Sequence, residues 1–376
     1  MTILTPGPTE IPDDVLLAMR RSSNPDIDVS FMDLYQDLTT RIKGLIHMNG
    51  KVYIMSGEGM LGLEAAIANT VRKGDRVLSV ANGVFGDAFG DLASAYGAQT
   101  VKLHGDYDIP IDPHRVDPAG FDVITTVHVD TPAGLMNPIE ELSHRIKGSD
   151  AIWVLDAVSS VGGYPIDCEQ LGVDICLMAS QKAFSAPPGL AIVAVSERAA
   201  DMIKERRKDE AYGGFYMNFR VWDENLSNGM FPYTPSANDI FALARSVETI
   251  MKEGPISVYK RHTLAKEATL KALVSLGLKP YVKDSSFAAT TVTAFYSPPD
   301  QAALINYMWS KFGTLLAGSW GALAGKVMRI GHMGYTAQRK FVVEAISALA
   351  AGLKHYGTST DLPSALEDID HVYGKR

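Results

Sequence analysis

Cysteine is scarce in this 376-residue sequence, because only Cys168 and Cys176 occur and both lie beside apolar, strand-like runs. Two such residues give neither a disulfide framework nor a metal-ligand spacing, so we expect both to be small core residues. No apolar run approaches the roughly 18 residues that cross a membrane, and residues 1–8 lack the features of a signal peptide. A basic face is absent as well, since the formal net charge is −8. This composition favours a cytoplasmic protein with neither a membrane nor a nucleic acid as its partner.

The sequence does contain a regular alternation of short apolar runs with segments of helical periodicity. Runs such as 76–81, 152–155 and 175–179 are typical of buried strands. Their alternation with helices predicts an α/β fold with a doubly wound, mainly parallel sheet. In such sheets the functional site lies beyond the carboxyl ends of the strands. The polar residues that follow the runs are therefore expected to meet there: Glu58, Asn82, Thr131, Asp156 and Lys182.

The length and a change of pattern near Gly254 predict two domains. Residues 1–253 are expected to form a large domain, with a turn-rich lead-in at its start, and residues 254–376 a smaller α+β domain. The segment 213–235 carries no clear periodicity, so we expect it to be irregular. Helices are predicted near residues 240–252, 259–276 and 301–311.

Lys182 lies between two apolar runs, 175–179 and 191–195, in a turn that contains Pro187, Pro188 and Gly189. A lysine at the end of a strand commonly extends its amine to solvent along apolar surface. Alternatively, a desolvated lysine amine forms a Schiff base with a carbonyl compound. Asp156, at the end of another run, is either a structural acid or the partner of a pyridinium nitrogen. Together the two residues fit a site for a pyridoxal ring, in which an acid keeps the ring nitrogen protonated.

Eight stretches carry a resemblance to a known family, and they occur in the family's order along nearly the whole chain. These are residues 6–8, 56–66, 82–86, 128–134, 156–160, 180–190, 233–235 and 329–332. The chain resembles the alanine–glyoxylate and serine–glyoxylate branch of the fold-type I, class V aminotransferases. The resemblance implies that Lys182 is the Schiff-base lysine and that Asp156 pairs with the pyridinium nitrogen. It also implies the other ligand-binding residues: Phe85 and Val158 against the ring, Thr131 at its hydroxyl, Gln181 and the turn Glu58-Gly59-Met60 near its substituent, Thr234 from a partner chain, and Arg329 on the substrate carboxylate.

The chain departs from the family at the glycine-rich turn, 56–60, where relatives bind the phosphate of the cofactor. Most relatives have a small hydroxyl residue where this chain has Glu58, and a tyrosine where it has Phe231. A carboxylate satisfies the donors at a helix N-terminus that otherwise receive an anion. A phosphate about 4 Å from it would meet a repulsion of roughly 4 kcal/mol at an effective dielectric near 20, on the order of a thousandfold in affinity. Alternatively, Glu58 is a helix-start acid that points into solvent.

This departure is similar to that of the pyridoxamine–pyruvate aminotransferases, which share the Gly-Glu turn and the Arg-Ile-Gly-His-Met-Gly motif at residues 329–334. The resemblance implies a conversion of pyridoxamine and pyruvate to pyridoxal and L-alanine, in vitamin B6 degradation, with pyridoxal bound on Lys182 as a substrate. It further implies a homodimer. The competing hypothesis is an alanine/serine–glyoxylate aminotransferase that holds pyridoxal 5′-phosphate. A lyase or desulfurase, or a protein that binds without catalysis, is a further alternative on this fold.

Overall fold

The computed structural model describes residues 1–206 and 214–374. In these ranges the strands are β1 (Thr2–Ile3), β2 (Gly50–Ser56), β3 (Arg76–Ala81), β4 (Gln99–His104), β5 (Val123–Val127), β6 (Val129–Asp130), β7 (Leu135–Met136), β8 (Ile152–Asp156), β9 (Ile175–Ala179), β10 (Leu190–Ser196), β11 (Val292–Tyr296), β12 (Thr314–Leu315), β13 (Ala317–Gly318) and β14 (Val327–Gly331). The α-helices are α1 (Asp13–Ala18), α2 (Val29–Ile46), α3 (Gly59–Thr70), α4 (Val84–Ala95), α5 (Ile139–Ile146), α6 (Cys168–Leu171), α7 (Glu197–Arg206), α8 (Phe219–Ser227), α9 (Ala237–Glu253), α10 (Pro255–Ser275), α11 (Gln301–Phe312), α12 (Arg339–His355) and α13 (Leu362–Gly374).

A seven-stranded sheet forms the centre of the fold, with the strand order β2-β10-β9-β8-β5-β3-β4. The strands from β9 to β4 run parallel, whereas β10 pairs antiparallel with both β2 and β9. Every residue of β5, β8 and β9 is buried, as expected for strands that are covered on both faces. The predicted doubly wound, mainly parallel α/β sheet is therefore confirmed.

Helix α3 lies close against this sheet, and its position brings the glycine-rich turn to the functional edge. A Cβ atom added to Gly62 would be 3.8 Å from Val193 and 3.9 Å from Ala191, both on β10. These are ordinary van der Waals distances, so the helix packs directly on the strands, and a Cβ on Gly59 at its first residue would be 3.7 Å from Ala179 at the end of β9. As a result, the N-terminus of α3 lies next to the carboxyl end of β9.

A second apolar cluster lies in the C-terminal part of the chain, and it includes buried residues from α10 to α13 together with Leu4. It packs beside an antiparallel sheet of order β11-β14-β13. The N-terminal lead-in joins this part, because β1 pairs with β12. Helix α9 ends at Glu253 and α10 begins at Pro255. We retain a division into residues 1–253 and 254–376 as a proposal.

The structure differs from the sequence-based expectation in the segment 213–235, of which residue 213 lies outside the described residues. This segment contains α8, whose first turn is capped by the side chain of Asn218 through the Arg220 N–H. Helices α12 and α13 are also additional to the predicted ones. Among the described helices, none combines the length and the apolarity needed to cross a membrane.

Candidate active site

Lys182 lies in a tight loop between β9 and β10, at the carboxyl end of the sheet. The Ser180 hydroxyl donates to the Pro187 carbonyl at 2.6 Å, and the Ser185 N–H donates to the Lys182 carbonyl at 2.8 Å. The side chain of Lys182 is buried, and its Nζ donates to the Pro6 carbonyl at 3.2 Å. These bonds hold the amine inside the protein rather than in solvent, so the surface-lysine alternative is wrong.

The electrostatic surroundings of Lys182 favour a partly neutral amine. Burial, together with the positive charge of Arg329, lowers the pKa of Lys182 to about 8. Three carboxylates oppose this shift, and they are those of Asp156, Glu58 and Asp130. An amine with such a pKa is available as a nucleophile near neutral pH.

Asp156 ends β8 and is 4% exposed. Burial raises the pKa of its carboxyl to about 7, although the Val158 N–H donates to Oδ1 at 2.9 Å and Lys182 adds a favourable charge. Val158 connects Asp156 to the glycine-rich turn, because a Cβ on Gly59 would lie 3.2 Å from its Cγ1. A buried acid that lacks a full counter-charge is suited to a cationic ligand group.

Glu58 caps the N-terminus of α3 with its own side chain. Its Oε1 accepts from the Met60 N–H at 3.0 Å, and its Oε2 accepts from the Gln181 Nε2 at 3.5 Å. Two further donors of the turn are also engaged, since the Gly57 N–H donates to Gly189 and the Leu61 N–H to the Glu58 carbonyl. The carboxylate thus serves as a helix cap and also faces the residue next to Lys182.

Gln181 presents an acceptor without a partner at the same place. The residue is 6% exposed, and its buried Oε1 makes no hydrogen bond within the described structure. Reversing the amide would turn its oxygen toward the Glu58 carboxylate, which is unfavourable, so the Nε2 contact fixes the orientation. Oε1 and the Glu58 carboxylate together make this corner of the site rich in acceptors.

Arg329, on β14, keeps two N–H groups of its guanidinium for a ligand. Its Nε and Nη2 both donate to the Gly318 carbonyl, at 3.0 and 2.6 Å, and its Nη1 donates to the Thr131 carbonyl at 3.4 Å. Since a guanidinium has five N–H groups, one on each terminal nitrogen remains. A charged guanidinium with unused N–H groups is suited to binding a carboxylate. Burial lowers the pKa of Arg329 to about 10, so it stays charged near neutral pH.

Thr131 and Phe85 complete the predicted set within one chain. The Thr131 and Ser159 hydroxyl oxygens are 2.5 Å apart. The ring of Phe85 meets that of Trp320 edge to face, with centroids 6.1 Å apart. The Phe85 N–H donates to Oδ2 of Asp130 at 3.3 Å. Asp130 was missed as a site residue, although its position directly after an apolar run was a usable signal.

Asn82, Thr234 and Phe231 lie outside this site in the single chain, but only Asn82 was expected in it. The Asn82 amide forms a buried pair with Asn137, at 2.7 and 3.0 Å, so its expected participation is wrong. Thr234 is exposed, and its hydroxyl donates to Asp26 at 3.5 Å. Phe231 packs in the core against the rings of Phe31 and Tyr35 and offers no donor.

Comparison with known proteins identifies the family. Residues 4–306 match the family described as aminotransferase class-V. The chain is 32% identical over 372 residues to the pyridoxamine–pyruvate transaminase of Mesorhizobium japonicum, covering 97% of this chain and 94% of that protein. It is 29% identical over 345 residues to a serine–glyoxylate aminotransferase of Methylorubrum extorquens, covering 88% and 86%.

A solved structure gives the same result. The crystal structure of pyridoxamine–pyruvate aminotransferase from Mesorhizobium loti superposes with a TM-score of 0.94 at 31% identity, covering 100% of this chain and 97% of that one. Class V aminotransferases use pyridoxal phosphate and act on small molecules. The loop lysine, the buried aspartate and the matches along the whole chain lead to one conclusion: this protein belongs to the class-V aminotransferases and is an aminotransferase.

Proposed function

We propose that this aminotransferase transfers the amino group of pyridoxamine to pyruvate, giving pyridoxal and L-alanine, as a step in vitamin B6 degradation. The observation that carries the proposal is the acceptor-rich corner formed by Glu58 and the unpaired Oε1 of Gln181. A hydroxymethyl group can donate a hydrogen bond to the accessible Glu58 carboxylate. A phosphate ester offers only acceptors and negative charge at the pH where the enzyme works.

The ring and the phosphate of pyridoxal phosphate fit this site unequally. Asp156, Thr131, Phe85 and Val158 suit a pyridine ring with a hydroxyl group. The turn suits a phosphate poorly, since the Glu58 carboxylate already takes the Met60 N–H and would repel the ester by roughly 4 kcal/mol at about 4 Å. We therefore assign the unesterified vitamin the role of a substrate that enters and leaves.

The proposed roles of the protein side chains follow from their positions. Arg329 binds the pyruvate carboxylate through its unused N–H groups, and Asp156 accepts the hydrogen bond of the protonated ring nitrogen. The ring, when bound, supplies an electron sink for the carbon that loses its proton. Lys182 Nζ, held by the Pro6 carbonyl, takes a proton from the aminomethyl carbon of pyridoxamine and returns it to the former keto carbon of pyruvate. The aminomethyl carbon is oxidised to the aldehyde as the keto carbon is reduced, and the water released in condensation is taken up again.

We further propose that the enzyme works as a cytoplasmic homodimer in which Thr234 reaches the site of the partner. In the single chain, Thr234 contacts Asp26 rather than its own site. Large apolar side chains are exposed in the same parts of the chain, at 79% for Ile27, 74% for Val29 and 53% for Met230. Exposed apolar groups of this kind commonly mark a protein–protein interface.

The test compares four reactions of the purified enzyme: pyridoxamine with pyruvate, pyridoxamine 5′-phosphate with pyruvate, and L-alanine or L-serine with glyoxylate after loading with pyridoxal 5′-phosphate. We expect rapid pyridoxal formation in the first reaction, with kcat/KM higher than in the second by on the order of 10²- to 10³-fold. Glu58→Ser should abolish most of this preference for the unesterified substrate. Glu58→Gln should reduce the preference only in part, because it removes the charge but keeps the size of the side chain.

The matched control is Glu64→Gln on the same helix, where Glu64 accepts from the Tyr96 hydroxyl at 2.9 Å, away from the turn. This variant should keep the preference for the unesterified substrate. An unaltered enzyme that fails to use pyridoxamine, but turns over alanine or serine with glyoxylate when loaded with the phosphate form, would falsify the proposal. The alanine/serine–glyoxylate aminotransferase would then be the function.

A further inference from the structure

Trp320 lies between the proposed ring site and the proposed carboxylate site. Its ring centroid is 6.1 Å from that of Phe85 and 5.3 Å from the guanidinium carbon of Arg329. On the basis of the function proposed above, we infer that Trp320 sets the upper size limit for the 2-oxo acid. The accepted acids are then those whose keto carbon carries a hydrogen or a methyl group, and longer aliphatic chains are excluded.

The backbone of Trp320 is fixed from both sides of its turn. The Ser319 hydroxyl donates to the Pro132 carbonyl at 2.8 Å, and the Ser319 N–H donates to the Val327 carbonyl at 2.9 Å. After it, Gly321 turns the chain at φ +57°, which favours glycine, and the Leu323 N–H donates back to the Trp320 carbonyl at 3.1 Å. From this fixed position the indole packs against the Phe85 ring and the Arg329 guanidinium, so that it forms one side of the site.

The depth of the groups decides which substituent meets this side of the site. Lys182 is 9% exposed and lies at the bottom of the site, whereas Trp320 is 48% exposed and lies at its mouth. The proton on the reacting carbon must face Lys182, and the carboxylate is bound by Arg329. The remaining substituent points away from the lysine, and we place it beside the indole because the indole adjoins both Phe85, at the proposed ring site, and Arg329.

The same indole also covers the Arg329 guanidinium, and a cation over an aromatic face is attracted to it. Two effects of removing it must therefore be separated. Loss of support for Arg329 weakens the binding of every carboxylate to a similar extent. Loss of this side of the site changes the ratio between long and short acids, because each methylene in an apolar pocket changes kcat/KM by about 10- to 200-fold.

The experiment measures kcat/KM for glyoxylate, pyruvate, 2-oxobutanoate and 2-oxohexanoate with wild type, Trp320→Phe and Trp320→Ala. We expect wild type to decline steeply beyond pyruvate. In Trp320→Ala the ratio of 2-oxohexanoate to pyruvate should rise about 10- to 100-fold, with Trp320→Phe in between. Phe312→Ala is the matched control, because Phe312 is also 48% exposed but lies on α11, and it should leave the ratio unchanged.

Binding of the same acids, measured by isothermal titration calorimetry, should show the same change in the ratio of Kd values. A parallel loss for all four acids in Trp320→Ala, with the ratio unchanged, would mean that the indole only supports Arg329 and would overturn the inference. The series is run with pyridoxamine and, separately, with L-serine and the phosphate-loaded enzyme. If pyridoxamine fails as a donor, the proposed reaction is rejected, while the second series still tests Trp320.

Discussion

At the scale of single residues, the buried carboxyl of Asp156 has opposite effects on stability and on activity. Its negative charge lowers the stability of the ligand-free protein but is required by the proposed reaction. Its pKa in the folded protein, about 7, lies above the ordinary value of 3.8. The folded state therefore binds more protons than the unfolded state between these values, and the stability of the ligand-free protein falls as pH rises through about 7. The proposed chemistry needs Asp156 as a carboxylate anion. In the ligand-free protein, however, the surroundings of Asp156 disfavour this charged form.

Asp156→Asn should separate these two properties. Asparagine is neutral at every pH, so at pH 8.5 the ligand-free variant should be more stable to unfolding than wild type, by on the order of 1–3 kcal/mol. The difference should be small at about pH 3.5, where the carboxyl is largely protonated in both the folded and the unfolded state. The rate of transamination should fall by about 10²-fold or more, since the ring nitrogen loses its anionic partner. Thermal unfolding at the two pH values and a steady-state assay measure both effects.

Asp174→Asn is the control for this prediction. Asp174 is equally buried, but it is paired with Arg198 at 2.5 Å and accepts from the Trp153 N–H at 2.9 Å. Removing its charge should therefore lower stability at pH 8.5. A loss of stability in Asp156→Asn at that pH would show that the carboxylate is favourably paired in the folded protein, contrary to our account.

Glu58, Thr131, Asp156 and Lys182 could be predicted as candidates because each follows an apolar run directly. Arg329 lies inside a strand, so it was expected only from the family resemblance. The structure brings Lys182, Asp156 and Arg329 together, although their catalytic roles stay predictions. Asn82 satisfies the same rule, yet its amide pairs with Asn137, which is a partner that the order of residues along the chain cannot reveal. The orientation of a side chain at a strand end depends on its three-dimensional neighbours, so the rule selects candidates and not roles.

At the scale of elements, α4 depends on a carboxylate from another part of the chain. Asp130, at the end of β6, accepts from the N–H groups of Phe85 and Ala133, each at 3.3 Å. Gly83 makes this contact possible, because a Cβ at this position would lie 2.2 Å from Asp130 Oδ2. A negative charge at a helix N-terminus is favourable, and here it also fixes Phe85 against the proposed ring site.

Asp130→Asn should weaken the binding of pyridoxal by about 10-fold at pH 8. Burial raises the pKa of Asp130 to about 6, so the wild-type carboxyl is largely neutral at pH 5 and the difference between variant and wild type should shrink there. A fluorescence titration with pyridoxal at both pH values measures the ratio of Kd values. Asp91→Asn is the control, because Asp91 lies on the same helix but in an exposed pair with Lys102, and it should not change the Kd of pyridoxal. If Asp130→Asn weakened pyridoxal binding equally at both pH values, the charge of Asp130 would not be the cause.

The prediction of elements succeeded for the strands of the central sheet and failed for the two-residue strands and several helices, for a physical reason. The inner strands β5, β8 and β9 are buried along their whole length, so their apolar runs can be recognised without their neighbours. Helix α8 begins where Asn69, on α3, accepts from the Phe219 N–H at 3.0 Å, a contact between residues far apart in sequence. In α12, Gly352 lies so close to α11 that a Cβ would be 2.5 Å from Leu304. A glycine in the middle of a helix argues against a helix in the sequence, and only this contact with α11 explains its presence.

At the scale of the whole molecule, a single chain leaves Thr234 outside its own site. If the enzyme is a homodimer with shared sites, each site combines Lys182 of one chain with Thr234 of the other. No periodicity in one sequence reveals such sharing, because a symmetric interface makes the same surface its own partner. The arrangement can instead be tested with two defective chains that compensate each other.

We expect Lys182→Ala to be inactive, and Thr234→Glu to be strongly impaired because it places a charge at the neighbouring site. Co-expression of the two variants should restore roughly a quarter of the wild-type activity in the mixture, in which about half of the dimers are mixed. The isolated mixed dimers should show roughly half of the wild-type activity, since each holds one intact site. Activity is measured on mixed dimers isolated with two different affinity tags, alongside each variant expressed alone. If Thr234 acted in its own chain, one site of every mixed dimer would lack Lys182 and the other would carry the Thr234→Glu charge, so no activity would return. Sedimentation that showed a fully active monomer would exclude shared sites altogether.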